Sequence, residues 1–550
     1  MASAAKPPSG AERLLQAAVA AGVKVCFANP GTSEMHFVSA LDSVGGMRAV
    51  LGLHETVCSG AADGYGRMAR RPALTLLHLG PGLANATANL HNARRAGTPL
   101  VNLVGDMATW HKGADPLLNS DIAALASTVG THVHACTPGE DLGAAMAAAV
   151  GATAGSRGAP GDSRVATLIV PHDLSWQRSE EDGAAVQPHA NVPAAGAAQG
   201  APLPAEVQRF VREAAAALRA CPRGKAALYI GGAACLAEGD ALPNVGRIAA
   251  ATGAALLCEN AFARLDRGAG LPTPARLPYF PQDAAAALAP YHLLLVLDAR
   301  RPVANFGYDG APSQLVTLPD EAVWEFDSRG VDLPALLALL AAEVGGHSVT
   351  PGVNCCGVFA TLDRPALPTG RLTAAALCQT VATLQPEGTI LVDESLTSGG
   401  TYFNHSAACP PFTHLTLTGG AIGAGIPLAL GAAVACPDRV VINLQADGSG
   451  MYSLQGLWSQ AREGARVITI ICSNRSYAIL KVEMARERIT PSTGKAARAL
   501  TELGTPPIDW VSLAQGMGVP GSRAATCEEL AAALTAALAR QGPSLIEAAL

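Results

Sequence analysis

The stretch "NLQADGSGMYSLQGLW", residues 443–458, decides how this chain is read. It follows the apolar run Val440-Val441-Ile442 and continues into "SQARE", so a strand, a sharp turn and a helix succeed one another. One acid, Asp447, and two glycines, Gly448 and Gly450, stand at the seam. In an open parallel sheet, ligands gather at the carboxyl ends of strands. Glycine permits tight backbone there, and the N–H groups opening the next helix suit an anion. The next apolar run, Val467–Cys472, leads into "SNRSY", so Asn474, 27 residues after Asp447, also falls at a strand end. A carboxylate, an amide oxygen and a backbone carbonyl can form half of an octahedral Mg²⁺ shell, which diphosphate oxygens and water complete. An isolated Asp-Gly would be a capped turn, with Ser449 as the cap. The pairing of two strand ends favours the metal site.

Outward from this seam the chain alternates between helical and strand patterns. Residues 10–180 run through "AERLLQAAVAAG", "VKVCFANP", "ALTLLHLGPG" and "PLVNLVGD". Such alternation with short loops predicts a parallel sheet wrapped by helices. The Ala/Gly/Pro-rich "SEEDGAAVQPHANVPAAGAAQGAPLP", residues 179–204, has no periodicity and reads as a linker. A second block, 205–345, carries the strands "AALYIGG", "AALLCEN", "HLLLVLDA" and "QLVTLP". After the turn-rich "GGHSVTPGVNCCGV", a third block spans 370–550 with "GTILVDES", "RVVINLQAD", "RVITIICSN" and "PSLIEAAL". The expected fold is α/β, with three doubly wound parallel-sheet domains.

Composition excludes several classes. The 550 residues are 49% hydrophobic and 15% charged, with a net charge of -6 and no lysine/arginine run, which speaks against nucleic acid as a partner. No window approaches the roughly 18 strongly apolar residues of a membrane span. The N-terminal "MASAAKPPSGAER" lacks a signal-peptide core, so a cytoplasmic location is expected. Thirteen scattered cysteines, with no CxxC pair and with Cys355 and Cys356 adjacent, read as buried reduced thiols.

The Asp447–Asn474 arrangement resembles the diphosphate–Mg²⁺ motif of thiamine diphosphate (ThDP) enzymes, GDG followed by an asparagine about that far on. Ala446 stands here for the first glycine. The likeness extends over nearly the whole chain and is greatest to the benzoylformate decarboxylase and acetolactate synthase branch. It implies that Asp447, the Asn474 side chain and the Ser476 carbonyl hold Mg²⁺. Gly448, Ser449 and Tyr477 would contact the diphosphate, and Thr397 and Ser398, in "DESLTSGG", would line its far side. "GLHETVCSGAADGYGRMARR" places Glu55 where a strand meets a helix of small residues. Alone, it is a carboxylate at a helix N-terminus. Under the resemblance it is the acid that meets the ring nitrogen N1′ and favours the imino tautomer, by which the cofactor deprotonates its own C2. In "LTGGAIGAGIPLALGAA", Ile422 would be the wedge that bends the cofactor, and the Gly420 carbonyl would accept from its 4′-amino group. The rival reading of "GAIGAG" as a nucleotide loop lacks the GxGxxG spacing.

On the substrate side, "LLHLGPGLANA" puts His78 where benzoylformate decarboxylase has a catalytic histidine, and "FANPGTSEM" puts Thr32 where it has an active-site serine. Its second histidine has no counterpart, since "RRPVANFGYDG" puts Gly307 there. In "YAILKVEMARER", Ile479 and Glu483 would line the pocket, Glu483 replacing an aromatic residue. An acid there repels a carboxylate substrate unless Lys481 or Arg486 pairs with it. The middle block has "IGGAACL" and "DARRPV" where acetolactate synthases bind FAD, and FAD is not expected. The resemblance thus implies ThDP- and Mg²⁺-dependent decarboxylation of a small-molecule substrate, a 2-oxo acid, to an aldehyde, through a C2-carbanion/enamine route. An acetolactate synthase-like carboligase is the alternative within the class. A non-catalytic ThDP-fold regulatory subunit is the alternative outside it, and a nicotinamide-dependent dehydrogenase is disfavoured by the missing fingerprint. Homodimers or homotetramers with active sites between subunits are expected.

Overall fold

The computed structural model describes residues 6–154, 163–178, 202–326, 331–349, 357–487 and 495–550. Most of the expected linker, and Cys355 and Cys356, lie outside these residues. The strands of the first segment are β1 (Val25–Asn29), β2 (Arg48–Leu51), β3 (Ala73–Leu77), β4 (Leu100–Asp106), β5 (His132–Ala135) and β6 (Val165–Pro171). They form a sheet of order β2-β1-β3-β4-β6-β5, parallel throughout. The middle segment supplies β7 (Ala226–Ile230), β8 (Ala255–Cys258), β9 (Leu265–Arg267), β10 (Ala275–Arg276), β11 (Leu293–Leu297) and β12 (Val323–Phe326). Its parallel sheet runs β10-β8-β7-β11-β12.

β9 leaves that sheet and pairs antiparallel with a strand of the third. The third segment has β13 (Ile390–Glu394), β14 (Phe412–Thr416), β15 (Val441–Ala446), β16 (Val467–Ser473), β17 (Gly521–Ala524) and β18 (Ser544–Ala549), in the order β17-β18-β16-β15-β13-β14-β9. β3, β4, β6, β11 and β16 are buried along their whole length, as sheets covered on both faces require.

The first and third sheets share one core through two helices, Glu55–Ala69 and Gly425–Ala435. These cross at backbone distance. A Cβ built on Gly64 would lie 2.1 Å from the Leu428 carbonyl oxygen, and one on Gly431 would lie 1.8 Å from that of Ala61. The run of small residues after Glu55 exists for this contact. Arg67 then ties all three segments together. Its guanidinium pairs with buried Asp63, and donates to the carbonyls of Ala263 (3.2 Å) and Thr416 (2.7 Å) and to Thr418 Oγ1 (3.1 Å).

Candidate active site

Strand order explains why the candidate residues meet. From β13 the chain steps to β14 on one side and then to β15 and β16 on the other. The crevice between β13 and β15 is therefore a switch point, where loops diverge and a ligand can enter. Glu394 and Gln445 are register partners at this end, and Ala446 faces Cys472. Four adjacent strands thus deliver Asp447, Asn474, Thr397–Ser398 and the 417–425 loop to one rim.

At that rim Asp447 is only 3% exposed. Its Oδ1 accepts the Gly448 N–H at 2.8 Å and its Oδ2 the Arg475 N–H at 2.6 Å. Burial pushes its carboxyl above the ordinary range, against the pull of those backbone donors. Arg475 has φ +55°, which folds the chain back so that the Asn474 oxygen accepts the Ser476 N–H at 2.9 Å. The Asn474 amide nitrogen lies 3.5 Å from Ser398 Oγ. Gly448 is required by contact, because a Cβ there would come within 2.3 Å of the Tyr477 ring. The Ser449 hydroxyl is already engaged, accepting from Gln445 Nε2 at 2.7 Å and donating to the Ala446 carbonyl at 3.2 Å.

Gly420 has φ +77°, with nothing within 4 Å of its missing side chain, and Ile422 is half-buried two residues on. The first domain clamps this loop. Asn92 Nδ2 donates to the Ala421 carbonyl at 2.8 Å, Asn92 Oδ1 accepts the Ala421 N–H at 3.2 Å, and His91 Nε2 lies 3.1 Å from the Gly419 carbonyl.

In the first sheet, β1 and β3 are neighbours, so the turns after them touch. His78 Nδ1 lies 2.7 Å from Glu34 Oε2 and 3.2 Å from Ser33 Oγ. Glu34 is fully buried, and also accepts from Ser33 Oγ at 2.8 Å and from the Gly31 N–H at 2.8 Å. A carboxylate can only accept, so Nδ1 carries a hydrogen, and in the neutral ring it is Nε2 that keeps the lone pair. Thr32 is exposed at the start of this turn, and Ser33 and Glu34 are the residues on the histidine. Glu55, 9% exposed, opens its helix and accepts from Asn85 Nδ2 at 3.0 Å. The missing side chain of Gly82 brings the two groups together: its Cβ position is 3.3 Å from Glu55 Oε1 and 3.5 Å from His78 Cβ.

Glu483 sits on the helix Ala478–Arg486, with Ile479 half-buried in its first turn. Neither suggested base reaches it. Lys481 is 3.8 Å from Glu502, while Arg486 lies 3.6 Å from Asp283 and stacks 3.6 Å over Phe280. Instead the Tyr308 hydroxyl donates to both Glu483 oxygens, at 3.2 and 3.1 Å. Desolvation and this carboxylate push the tyrosine up to about 12. Sequence reasoning missed Glu34, Ser33, Asn85, Asn92 and Tyr308. Asn89 and Asn92 did carry a signal, as adjacent-turn amides on an otherwise apolar helix face that the fold buries. Among the described residues no hydrogen bond or ion pair joins the Glu55–His78 group to the Asp447 cluster.

Two family profiles match the chain: the N-terminal TPP binding domain of thiamine pyrophosphate enzymes over residues 8–127, and their C-terminal TPP binding domain over residues 399–548. The chain is 47% identical over 539 residues to the "Putative acetolactate synthase large subunit IlvX" of Mycobacterium tuberculosis, covering 98% of each. It is 29% identical over 548 residues to the benzoylformate decarboxylase of Pseudomonas aeruginosa, covering 96% of each. In fold it is similar to the thiamine diphosphate-dependent 4-hydroxybenzoylformate decarboxylase of Rhodococcus jostii RHA1, with a TM-score of 0.80 at 24% identity, over 98% of this chain and 99% of that one.

Proposed function

The chain belongs to the thiamine diphosphate-dependent enzymes, and on that premise we propose that it decarboxylates a 2-oxo acid to an aldehyde, with ThDP and Mg²⁺ as cofactors. The donor set fits the ion. Asp447, the Asn474 amide oxygen and the Ser476 carbonyl are hard oxygen ligands of the kind Mg²⁺ takes. The hydrogen bonds to buried Asp447 come from backbone N–H groups, so among the described residues no basic side chain answers its charge. A divalent cation would. The N–H groups of Gly448 and Ser449, with Tyr477, Thr397 and Ser398, would hold the diphosphate. The Gly420 carbonyl and Ile422 would hold the pyrimidine side.

When bound, the cofactor supplies the electron sink for cleaving the bond to the carboxylate carbon. The chain itself handles protons. Glu55 is the buried acid for the pyrimidine ring. His78, its Nδ1–H committed to Glu34, offers Nε2 to carry a proton to or from the reacting carbon near neutral pH. That fixed histidine beside Glu55 is the observation that carries the decarboxylase reading, because release of an aldehyde requires a proton at the carbon that lost CO₂.

The 47% identity to the M. tuberculosis relative favours a second reading, an acetolactate synthase-like carboligase. A panel of 2-oxo acids, with and without acceptor aldehydes, separates the two by scoring CO₂, aldehyde and acyloin. Aldehyde without acyloin supports decarboxylation, and acyloin alone supports ligation. No CO₂ from any acid, with ThDP binding intact, would leave a regulatory subunit.

The missing link between the Glu55–His78 group and the Asp447 cluster within one chain supports active sites shared between subunits of a homodimer or homotetramer. A fully active monomer in sedimentation would refute this. In the middle sheet, Asp298 Oδ2 accepts the Ala233 N–H at 2.6 Å, and a Cβ on Gly232 would lie 2.2 Å from that oxygen. A carboxylate on the N–H a phosphate would use supports a reading without FAD. No helix of the described residues is long and apolar enough to cross a membrane; a cytoplasmic location is part of the proposal.

A further inference from the structure

Glu394, the last residue of β13, is 2% exposed. Its Oε1 accepts the Gly423 N–H at 2.6 Å. Its Oε2 accepts the Gly425 N–H at 2.6 Å and Gln445 Nε2 at 2.9 Å. The same Gln445 amide donates to Ser449 Oγ at 2.7 Å. A Cβ on Gly425 would lie 2.2 Å from Gln445 Oε1 and 3.0 Å from Glu394 Oε2, so glycine is what lets the three groups close up.

One carboxylate therefore joins three loops. Its own strand continues into Thr397 and Ser398. The backbone it grips is the loop of Gly420 and Ile422. The amide it shares reaches Ser449, two residues beyond Asp447. The plainer account is an N-terminal cap for the helix Gly425–Ala435. A cap alone needs only a hydroxyl or a short acid from a neighbouring residue. Here the acid comes from a different strand, its burial pushes its carboxyl up, and it also grips Gly423, which lies before the helix. Gly420 and Gly423 have φ +77° and +95°, so the loop has no packed side chain at either position to fix its shape, and hydrogen bonds must do it.

We propose that Glu394 is a positioning residue for the cofactor: it sets the distance between the loop meant for the pyrimidine and the turn meant for the diphosphate. The role rests on the ThDP reading above and gives Glu394 no contact with the reacting atoms. Replacing one oxygen by an NH₂, as in Glu394→Gln, sets a donor against a backbone donor and loosens the loop.

The test uses the full chain, wild type and Glu394→Gln, titrated with ThDP at saturating Mg²⁺ and followed by tryptophan fluorescence. Near-ultraviolet circular dichroism reads the pyrimidine tautomer of the bound cofactor, and the thermal midpoint is taken without cofactor. Wild type that binds no ThDP sinks the cofactor reading itself, before the variant is considered. If wild type binds, the expected result is a loss of affinity of ~10- to 100-fold, the range seen when an outer partner of a bound group is removed, with a changed tautomer band at full saturation. Unchanged affinity and an unchanged band overturn the proposal, whatever the thermal midpoint does. Should Glu394→Gln fail to fold, Glu394→Asp keeps the charge and shortens the reach. A native far-ultraviolet spectrum with weakened ThDP binding then supports the role, and native binding overturns it.

Discussion

Single residues carry the chemistry here through what their neighbours fix. Glu55→Gln keeps the size and the Asn85 contact but removes the charge. It should abolish turnover while ThDP affinity, measured by fluorescence titration, stays within a few-fold. Full activity in that variant would refute the proposed role of the acid. Glu34→Gln replaces a carboxylate that can only accept from His78 Nδ1–H with an amide that can also donate, so the Nδ1–H tautomer is no longer enforced. A fall in kcat of roughly 10- to 100-fold with little change in ThDP affinity is expected. His414 gives the stability a pH dependence. It is fully buried against Phe262 and Tyr402, its Nε2 is 3.7 Å from Asp393 Oδ2, and burial pushes it down to about 4. Between the ordinary histidine value near 6.5 and that value, the unfolded chain binds a proton that the folded chain refuses. Stability therefore falls as pH drops through this window, by up to about 3 kcal/mol. Urea midpoints at pH 7 and pH 5 should differ in wild type, and differ less in His414→Leu.

At the scale of elements, the decisive contact is the crossing of the helices Glu55–Ala69 and Gly425–Ala435. Its glycines look like flexibility in the sequence and are closeness in the fold. Gly431→Ala pushes a methyl group to within 1.8 Å of the Ala61 carbonyl oxygen, so the helices must separate. Overpacking of this kind costs about 1–3 kcal/mol, and calorimetry should show a lower thermal midpoint. The same shift moves the 417–425 loop that opens the second helix, so ThDP affinity should fall as well. Gly113→Ala, at an exposed glycine with ordinary φ and nothing within 4 Å, controls for composition.

For the whole molecule, the first and third sheets present the two strand-end rims on which the candidate residues lie. Asp447→Asn removes the only charge among the proposed Mg²⁺ ligands. The thermal shift produced by ThDP with Mg²⁺ should largely disappear, as it should when EDTA is added to wild type. Persistence of the shift in both cases would show that the cofactor is held without this site. Sedimentation with and without cofactor tests assembly, since sites completed by a second chain predict that oligomer and activity are lost together.

How much was legible follows from how far apart the interacting residues lie. Periodicity and strand-end position depend on neighbours in sequence, so the alternating α/β pattern, Asp447, Asn474 and the turn glycines could be read directly. Glu55, which opens the helix after β2, and His78, which follows β3, were picked out by the family resemblance of the motifs around them. Their partners were not. Glu34 meets His78 because β1 and β3 are adjacent in the sheet. Glu394 meets Gly423 and Gln445 because β13 sits between β14 and β15. Tyr308 meets Glu483 across two segments, although charge alone pointed to Lys481 or Arg486. The sequence by itself determined which residues end strands and what chemistry they bring. Only the tertiary structure decided which of them touch, because strand order, set by packing many residues away, chooses the neighbours of every loop.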